Sequence, residues 1–391
     1  MELSSFAFVA LAFVTDLAVT NYAIPVIVSV ARLKGMIDVP DNGRKIHFRQ
    51  VPTLGGIGMF MGIVFAFKIW AGNSPPAFSP FLMASLIVLF AIGIKDDILV
   101  TAPVKKLIGQ ILAGVLIVMG GGVKLYRFDG FLGVNTAPEL LAVLITIFAF
   151  VVIINAFNLI DGVDGLAGSI TLVGSSAFGL IFLLNGHFGE AVLAFSLAGA
   201  IVGFLKHNME PAKIFMGDTG SMTIGFVMAV LAFRLIALND VSPMISFNTP
   251  TVFALSVLAL PLFDTLRVFI LRMYDGKSPF RADKRHIHHC LLRFGFRHRS
   301  ICFILGASAL LIIVCSWLLS SLEVHLYLGL VMALTAVVIP AAWFVQRMEN
   351  KRREKRLNEL FDMQAVMDEL IRPCVEEKKQ PEAVSEPVEW N

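Results

Sequence analysis

The chain has 391 residues, of which 57% are hydrophobic and only 16% charged, with a formal net charge of +3. That balance cannot be spread over a water-soluble surface, so a soluble globular domain is excluded and a polytopic membrane protein is predicted. The weak positive charge does not indicate a nucleic-acid partner, because basic residues beside a span are what membrane topology alone demands.

Apolar runs long enough to cross about 30 Å of hydrocarbon as helices fall at residues 3–31, 53–71, 79–94, 103–121, 138–156, 166–184, 189–205, 219–237, 250–271, 300–320 and 326–345. They predict an all-α fold with about eleven transmembrane helices, the third being the shortest. Interior glycines and prolines fit, since neighbouring membrane helices satisfy the freed backbone groups. The loops at 32–52, 95–106, 155–165, 206–217 and 272–299 hold 18 Lys and Arg, whereas the opposite loops hold only Lys124 and Arg127. The positive-inside rule therefore puts the first set in the cytoplasm, the amino terminus outside and the carboxy terminus inside. Only Glu2 and no basic residue precedes the first run, which is too long for a signal-peptide core, so no cleavage is expected.

Residues 1–345 form the integral membrane domain and 346–391 a charged cytoplasmic tail. In the tail, Leu357, Leu360, Met363 and Met367 recur at helical spacing, predicting an amphipathic helix on anionic lipid, with a partner-binding role as the alternative. The stretch "EEKKQPEAVSEPVEW" then reads as disordered. Cys290, Cys302, Cys315 and Cys374 form no CxxC pair and read as free thiols.

Polar residues gather at one membrane face. "GIKDDIL" (93–99) ends the third span, "NAFNLIDGVDG" (155–165) the fifth, "FMGDTGS" (215–221) opens the eighth, and "RADKRHIHHCLLRFG" (281–295) fills the loop after the ninth. Asn155, Asn158 and Asp161 recur at i, i+3, i+6, which predicts one helical stripe that Asp164 would continue. "GDTGS" reads either as a helix start with Asp218 or Thr219 as N-cap, or as amides aimed at an anion. "HIHH" lacks the Cys partners or HExxH frame of a zinc site; among Lys284, Arg285 and Arg293 it reads as a pocket for phosphate oxygens. Carboxylate and amide oxygens suit Mg²⁺, which is usually held by one or two protein groups plus substrate phosphates. Mg²⁺ with basic clamps is the equipment of phosphoryl transfer, and no Walker loop or kinase signature is present.

These segments, with "KIHFRQVPTLGGIG" at 45–58 and "PLFDTLRV" at 261–268, resemble the polyprenyl-phosphate N-acetylhexosamine-1-phosphate transferases (glycosyltransferase family 4), in the WecA-like branch, over about residues 30–345. The resemblance implies a bacterial inner-membrane enzyme whose cytoplasmic active site moves a sugar 1-phosphate from a UDP-N-acetylhexosamine, UDP-GlcNAc by preference, onto polyprenyl phosphate with release of UMP. It further implies Mg²⁺, with Mn²⁺ as a substitute, on Asn158 and Asp218. Asp96 and Asp97 would stand where the lipid phosphate enters, one as base or orienter, and Asp161 would complete the polar shell. Asp164 and Phe215 would hold the uracil. Lys106, His286, His288 and His289 would neutralise phosphates, and Lys45 and His47 of the first inner loop would bind substrate. Membrane lipids are the implied surroundings, with a homodimer left open. The MraY-type branch, which takes a peptide-bearing precursor, usually carries three consecutive histidines where this chain has "HIHH". A transporter is the alternative from another class, with Asp16, Arg234, Asp264 and Arg267 as an ion path; Asp264 and Arg267 at i, i+3 more simply pair with each other.

Overall fold

The computed structural model describes residues 3–36, 51–72, 75–99, 101–242, 244–276 and 285–338, and the single tail positions 340, 344, 347, 348, 351, 360 and 363. Lys45, His47 and Lys284 lie outside the described residues, as do Cys374 and the "EEKKQPEAVSEPVEW" stretch. The chain divides into two compact units, Met1–Ile339 and Pro340–Asn391. The described tail positions are helical.

The first unit runs α1 (Leu3–Leu33), α2 (Gly55–Trp70), α3 (Ser79–Ile98), α4 (Pro103–Val115) with a closing π turn, α5 (Glu139–Ile160), α6 (Leu166–Leu184), α7 (Phe188–Asn208), α8 (Gly217–Leu238), α9 (Pro250–Val257), α10 (Ala259–Tyr274), α11 (Ile287–Arg293), α12 (His298–Leu319) and α13 (Val324–Val338). Each predicted apolar run thus holds helix. Length and composition make seven of these able to cross a membrane, or eight if α9 and α10, bent by 79°, count as one broken span. The expectation of eleven crossings counted apolar runs, not helix lengths. The 16 residues of α2 rise only about 24 Å, α3 ends on Lys95, Asp96 and Asp97, and the ninth run breaks at Leu258, just before Pro261, which has no amide to donate.

One element departs from the all-α expectation. Between α4 and α5, β1 (Arg127–Phe131) and β2 (Val134–Thr136) pair antiparallel. By connectivity this hairpin lies at the end of the bundle opposite Asp96 and Asp97. The Asp129 carboxylate accepts a 3.0 Å bond from the Thr251 amide, tying the hairpin to the start of α9.

Helix α8 is the centre, with 83% of its span buried inside the protein. Its apolar residues run round the whole circumference, so it is enclosed by other helices rather than lipid. Glycines let the neighbours in: a Cβ on Gly56 of α2 would lie 2.1 Å from the Gly220 amide nitrogen, and one on Gly93 of α3 2.5 Å from the Thr219 Cα. The ionisable residues inside the bundle are tied locally. Arg234 pairs with Glu190 at 2.7 Å, Asp264 with Arg267 at 2.9 Å as their spacing predicts, and Thr20 donates to the buried Asp16 at 3.1 Å.

Candidate active site

The site forms where α3 ends and α8 begins. Asp97 accepts from the Asp218 amide at 2.7 Å, the Thr219 amide at 3.0 Å and the Thr219 hydroxyl at 2.6 Å. The first amides of a helix have no partner within it, so Asp97 caps α8 from a neighbouring helix and sets a negative charge at its positive end. The segments approach so closely that only glycine fits at 217: its φ is +71°, and a Cβ would meet the Thr53 carbonyl oxygen at 2.1 Å and Asp97 Oδ1 at 2.6 Å. The segment before α2 is laced to the same turn, with Phe215 N donating to Pro52 O at 2.8 Å, Gly55 N to Phe215 O at 2.9 Å and Gly56 N to Met216 O at 2.9 Å.

This corrects the capping role the sequence offers Asp218 or Thr219. With Asp97 as the cap, the Asp218 carboxylate is turned to other partners. Asn158 Nδ2 donates to its Oδ1 at 3.0 Å and to Ser221 Oγ at 2.8 Å. Lys106 Nζ binds its Oδ2 and also reaches Asp96 Oδ2 at 2.7 Å. Asp96 in turn accepts from the Thr101 amide at 2.8 Å. Four helices, α3, α4, α5 and α8, thus contribute to one charged cluster. Thr101 and Ser221 escaped the sequence reading, and Thr219 entered it only as a cap; a hydroxyl beside a carboxylate motif was the available signal.

The predicted stripe on α5 holds for Asn155, which donates to Gln110 Oε1 at 2.7 Å, and for Asn158. It stops there. α5 ends at Ile160, and the chain turns through Gly165 at φ +81° before α6, so Asp161 and Asp164 do not continue a helical face. Asp164 lies instead against α12, 3.4 Å from His298 Nδ1, and accepts from the Ala212 amide at 3.3 Å. Asp161 makes no hydrogen bond or ion pair among the described residues. Burial first, then the charges of Asp218, Asp97 and Asp164, push its carboxyl up to about 7.

The histidines stand next to it. A Cβ on Gly162 would lie 2.2 Å from His288 Nε2, so His288 sits directly over the residue after Asp161. The His286 and His288 rings stack at 5.8 Å, and His288 and His289 lie 4.3 Å apart. Burial, then the neighbouring His289, pushes His288 down to about 3. In the free protein His288 is therefore neutral, a hydrogen-bonding group rather than the cation expected of a phosphate clamp.

Among the described residues no three His, Cys, Asp or Glu side chains converge as a closed metal cage. The donor set fits Mg²⁺ in another way. Asp96 and Asp218 share one ammonium, Lys106, while Asp97 and Asp161 bring two more carboxyls close to Asp218; among the described residues Asp161 is unpaired, and Asn158, with Nδ2 engaged, keeps Oδ1 for a cation. Surplus negative charge with free oxygens suits a hard ion that completes its shell from water and substrate phosphates.

This cluster predicts a pH dependence. A carboxyl whose pKa is raised on folding gives stability that is present below the ordinary carboxylate range and lost as pH rises through the folded value. For Asp161 that value is about 7. Without divalent cations, the thermal midpoint should fall between about pH 6 and about pH 8; Asp161→Asn should flatten that slope, and so should Mg²⁺. A slope unchanged in Asp161→Asn would show that the carboxyl is not held at raised pKa.

Glycosyl transferase family 4 matches residues 79–236 of this chain. That stretch covers Asp96 to Asp218 and stops short of Asp264 and the histidines. The chain is 33% identical to decaprenyl-phosphate N-acetylglucosaminephosphotransferase of Mycobacterium tuberculosis over 323 residues, 76% of this chain and 78% of that one. It is 31% identical to the probable undecaprenyl-phosphate N-acetylglucosaminyl 1-phosphate transferase of Bacillus subtilis over 328 residues, covering 83% and 89%. It is 32% identical to undecaprenyl-phosphate alpha-N-acetylglucosaminyl 1-phosphate transferase of Escherichia coli K12 over 292 residues, covering 72% and 76%.

Proposed function

The chain belongs to glycosyl transferase family 4, and on that footing we propose that it transfers N-acetylglucosamine 1-phosphate from UDP-N-acetylglucosamine to undecaprenyl phosphate, releasing UMP, at the cytoplasmic face of a bacterial inner membrane. The polyprenyl acceptor and the amino sugar are those in the names of its relatives. The uridine carrier, the metal and the sidedness are our reading of the residues, the last resting on the basic loops.

One observation carries the reading. Lys106 bridges Asp96 and Asp218, Asn158 holds the other oxygen of Asp218, and Asp161 stands beside them without a partner among the described residues, all where helices with apolar exteriors end. A phosphorylated lipid can slide its tail along such exteriors and bring its head to that cluster.

Asn158 and Asp218 would hold Mg²⁺, which, when bound, neutralises the pyrophosphate and the charge that builds on the leaving group. Lys106, which bridges Asp96 and Asp218, would bind phosphate oxygens where Asp218 serves the cation, with Asp96, itself held by the Thr101 amide, orienting it. A phosphate oxygen of the lipid attacks the phosphorus that bears the sugar. As that bond forms, the bond to the UMP oxygen breaks, and the electron pair leaves with UMP. Asp97 keeps both its oxygens on α8, so its part is to hold Asp218 in place. Asp164 and Phe215 read as the nucleobase end, and His286, His288 and His289 as hydrogen-bonding partners of the phosphates.

The test is purified protein with undecaprenyl phosphate, Mg²⁺ or Mn²⁺ and a panel of UDP-sugars, UMP being measured for each. UMP should appear only with lipid and UDP-N-acetylglucosamine together. Steady release without lipid would make the protein a nucleotide-sugar hydrolase, and a peptide-bearing donor accepted in preference would move it to the MraY-type branch.

A further inference from the structure

The carboxylate of Asp264, on α10, is 3% exposed at the residue level and lies outside the charged cluster just described. Its Oδ2 is 2.9 Å from His286 Nδ1. Its Oδ1 accepts from the Ile287 amide at 2.9 Å and from Arg267 Nη2 at 2.9 Å. Arg267 Nη2 also donates to the carbonyl of Arg285, so an ion pair from one helix grips three consecutive residues, Arg285, His286 and Ile287, at the entrance to α11. A buried Asp–Arg pair that only tied two helices together would have no need of an imidazole.

The imidazoles it sets in place are incomplete. His286 is 3% and His288 1% exposed, yet His286 Nε2 and His288 Nδ1 have no hydrogen-bond partner among the described residues. Buried polar atoms of native proteins are almost always satisfied, and an exception calls for an explanation, of which a ligand to come is one. These two nitrogens belong to stacked rings, and the second ring rests on Gly162, next to Asp161. With Nδ1 of His286 bonded to a carboxylate, its proton is held there and Nε2 is left with a lone pair, an acceptor for the hydrogen of a protonated phosphate oxygen; this is the arrangement by which an acidic partner orients a working imidazole.

We propose that Asp264 is a positioning residue of the transferase: it fixes the tautomer of His286 and the entry to α11, and so presents the His286 and His288 ring nitrogens to a phosphate of the substrate beside Asp161. The proposal rests on the transferase reading above. Asp264 touches no substrate and acts through His286.

The experiment is a double-mutant cycle on the full chain in lipid vesicles, with Asp264→Asn, His286→Gln and the pair, measuring kcat and KM for both substrates and the melting temperature. Asp264→Asn should lower kcat roughly 10–100-fold, the loss typical when an imidazole loses its orienting partner, with KM for undecaprenyl phosphate nearly unchanged. In the His286→Gln background the same change should cost no more than about 3-fold, since the ring it orients is gone. Asp264→Glu, which keeps the carboxylate, should recover part of the loss, and it replaces Asp264→Asn in the cycle should that variant not fold. Equal losses in both backgrounds, or normal kcat in Asp264→Asn, would overturn the proposal and leave Asp264 a helix tie. If the unmutated enzyme makes no lipid-linked sugar, the transferase reading falls and the proposal with it.

Discussion

Replacing Asp218 by asparagine should reduce turnover about a thousandfold, and Asn158→Ala should do comparable damage, because the residues that would hold the cation lose one of their number and with it several kcal/mol of charge stabilisation. The competing view of Asp218, as the start of a helix, predicts a different result. A lost N-cap costs about 1 kcal/mol of stability and spares the chemistry. The geometry separates the two. The α8 amides are already taken by Asp97, and the Asp218 side chain faces Asn158 and Lys106 instead. Removing its charge also relieves Asp161, whose carboxyl it helps to push upward. Metal-free Asp218→Asn should therefore melt close to the unmutated protein. The difference should appear on adding Mg²⁺, which stabilises a protein that binds it in the folded state only: the unmutated melting temperature should rise with Mg²⁺ and that of Asp218→Asn should not. Normal turnover and a normal Mg²⁺ response in Asp218→Asn would send the search for the metal to Asp96, Asp97 and Asp161.

Much of this cluster was legible in the sequence because membrane burial makes polar residues expensive, so those that remain at span ends are conspicuous. Asp96, Asp97, Asn158, Asp161 and Asp218 could each be picked out, and the alternation of spans and loops put them on one face. What each carboxylate touches was not legible. That Asp97 caps α8 depends on α3 and α8 meeting at Gly93 and on the space left by Gly217, with contacts between residues 121 and 122 positions apart that no local spacing encodes. The α5 stripe failed for a local reason that could have been read: Gly162 and Gly165 break a helix, so Asp161 and Asp164 were poor candidates for its continuation. The break between α9 and α10 had its signal too, in Pro261. The β hairpin lies in the connection between α4 and α5, where helical periodicity has nothing to say, although "RFDG" carries turn chemistry. The link from Asp264 to His286 crosses 22 positions, and the sequence offered only the nearer partner, Arg267.

The capping of α8 leads to the second large effect. Asp97→Ala should lower turnover about a hundredfold, since misplacing a catalytic group by an ångström costs that much, and it should lower the melting temperature as well. Two amides and a hydroxyl would lose their acceptor, each buried unsatisfied group costing about 1–3 kcal/mol, and the first turn of α8, which carries Asp218, would be free to shift. Asp97→Asn should fall between: one oxygen still accepts, but the amide group replacing the other presents hydrogens to an N–H. Gly217→Ala should imitate Asp97→Ala without touching a charge, because its Cβ would press on the Thr53 carbonyl and both oxygens of Asp97. Agreement among the three variants, each losing stability and turnover together, is the signature of a residue that works by holding α8. Turnover that vanishes in Asp97→Ala at an unchanged melting temperature, with Gly217→Ala fully active, would mean that Asp97 releases α8 when substrate binds and meets the lipid phosphate itself.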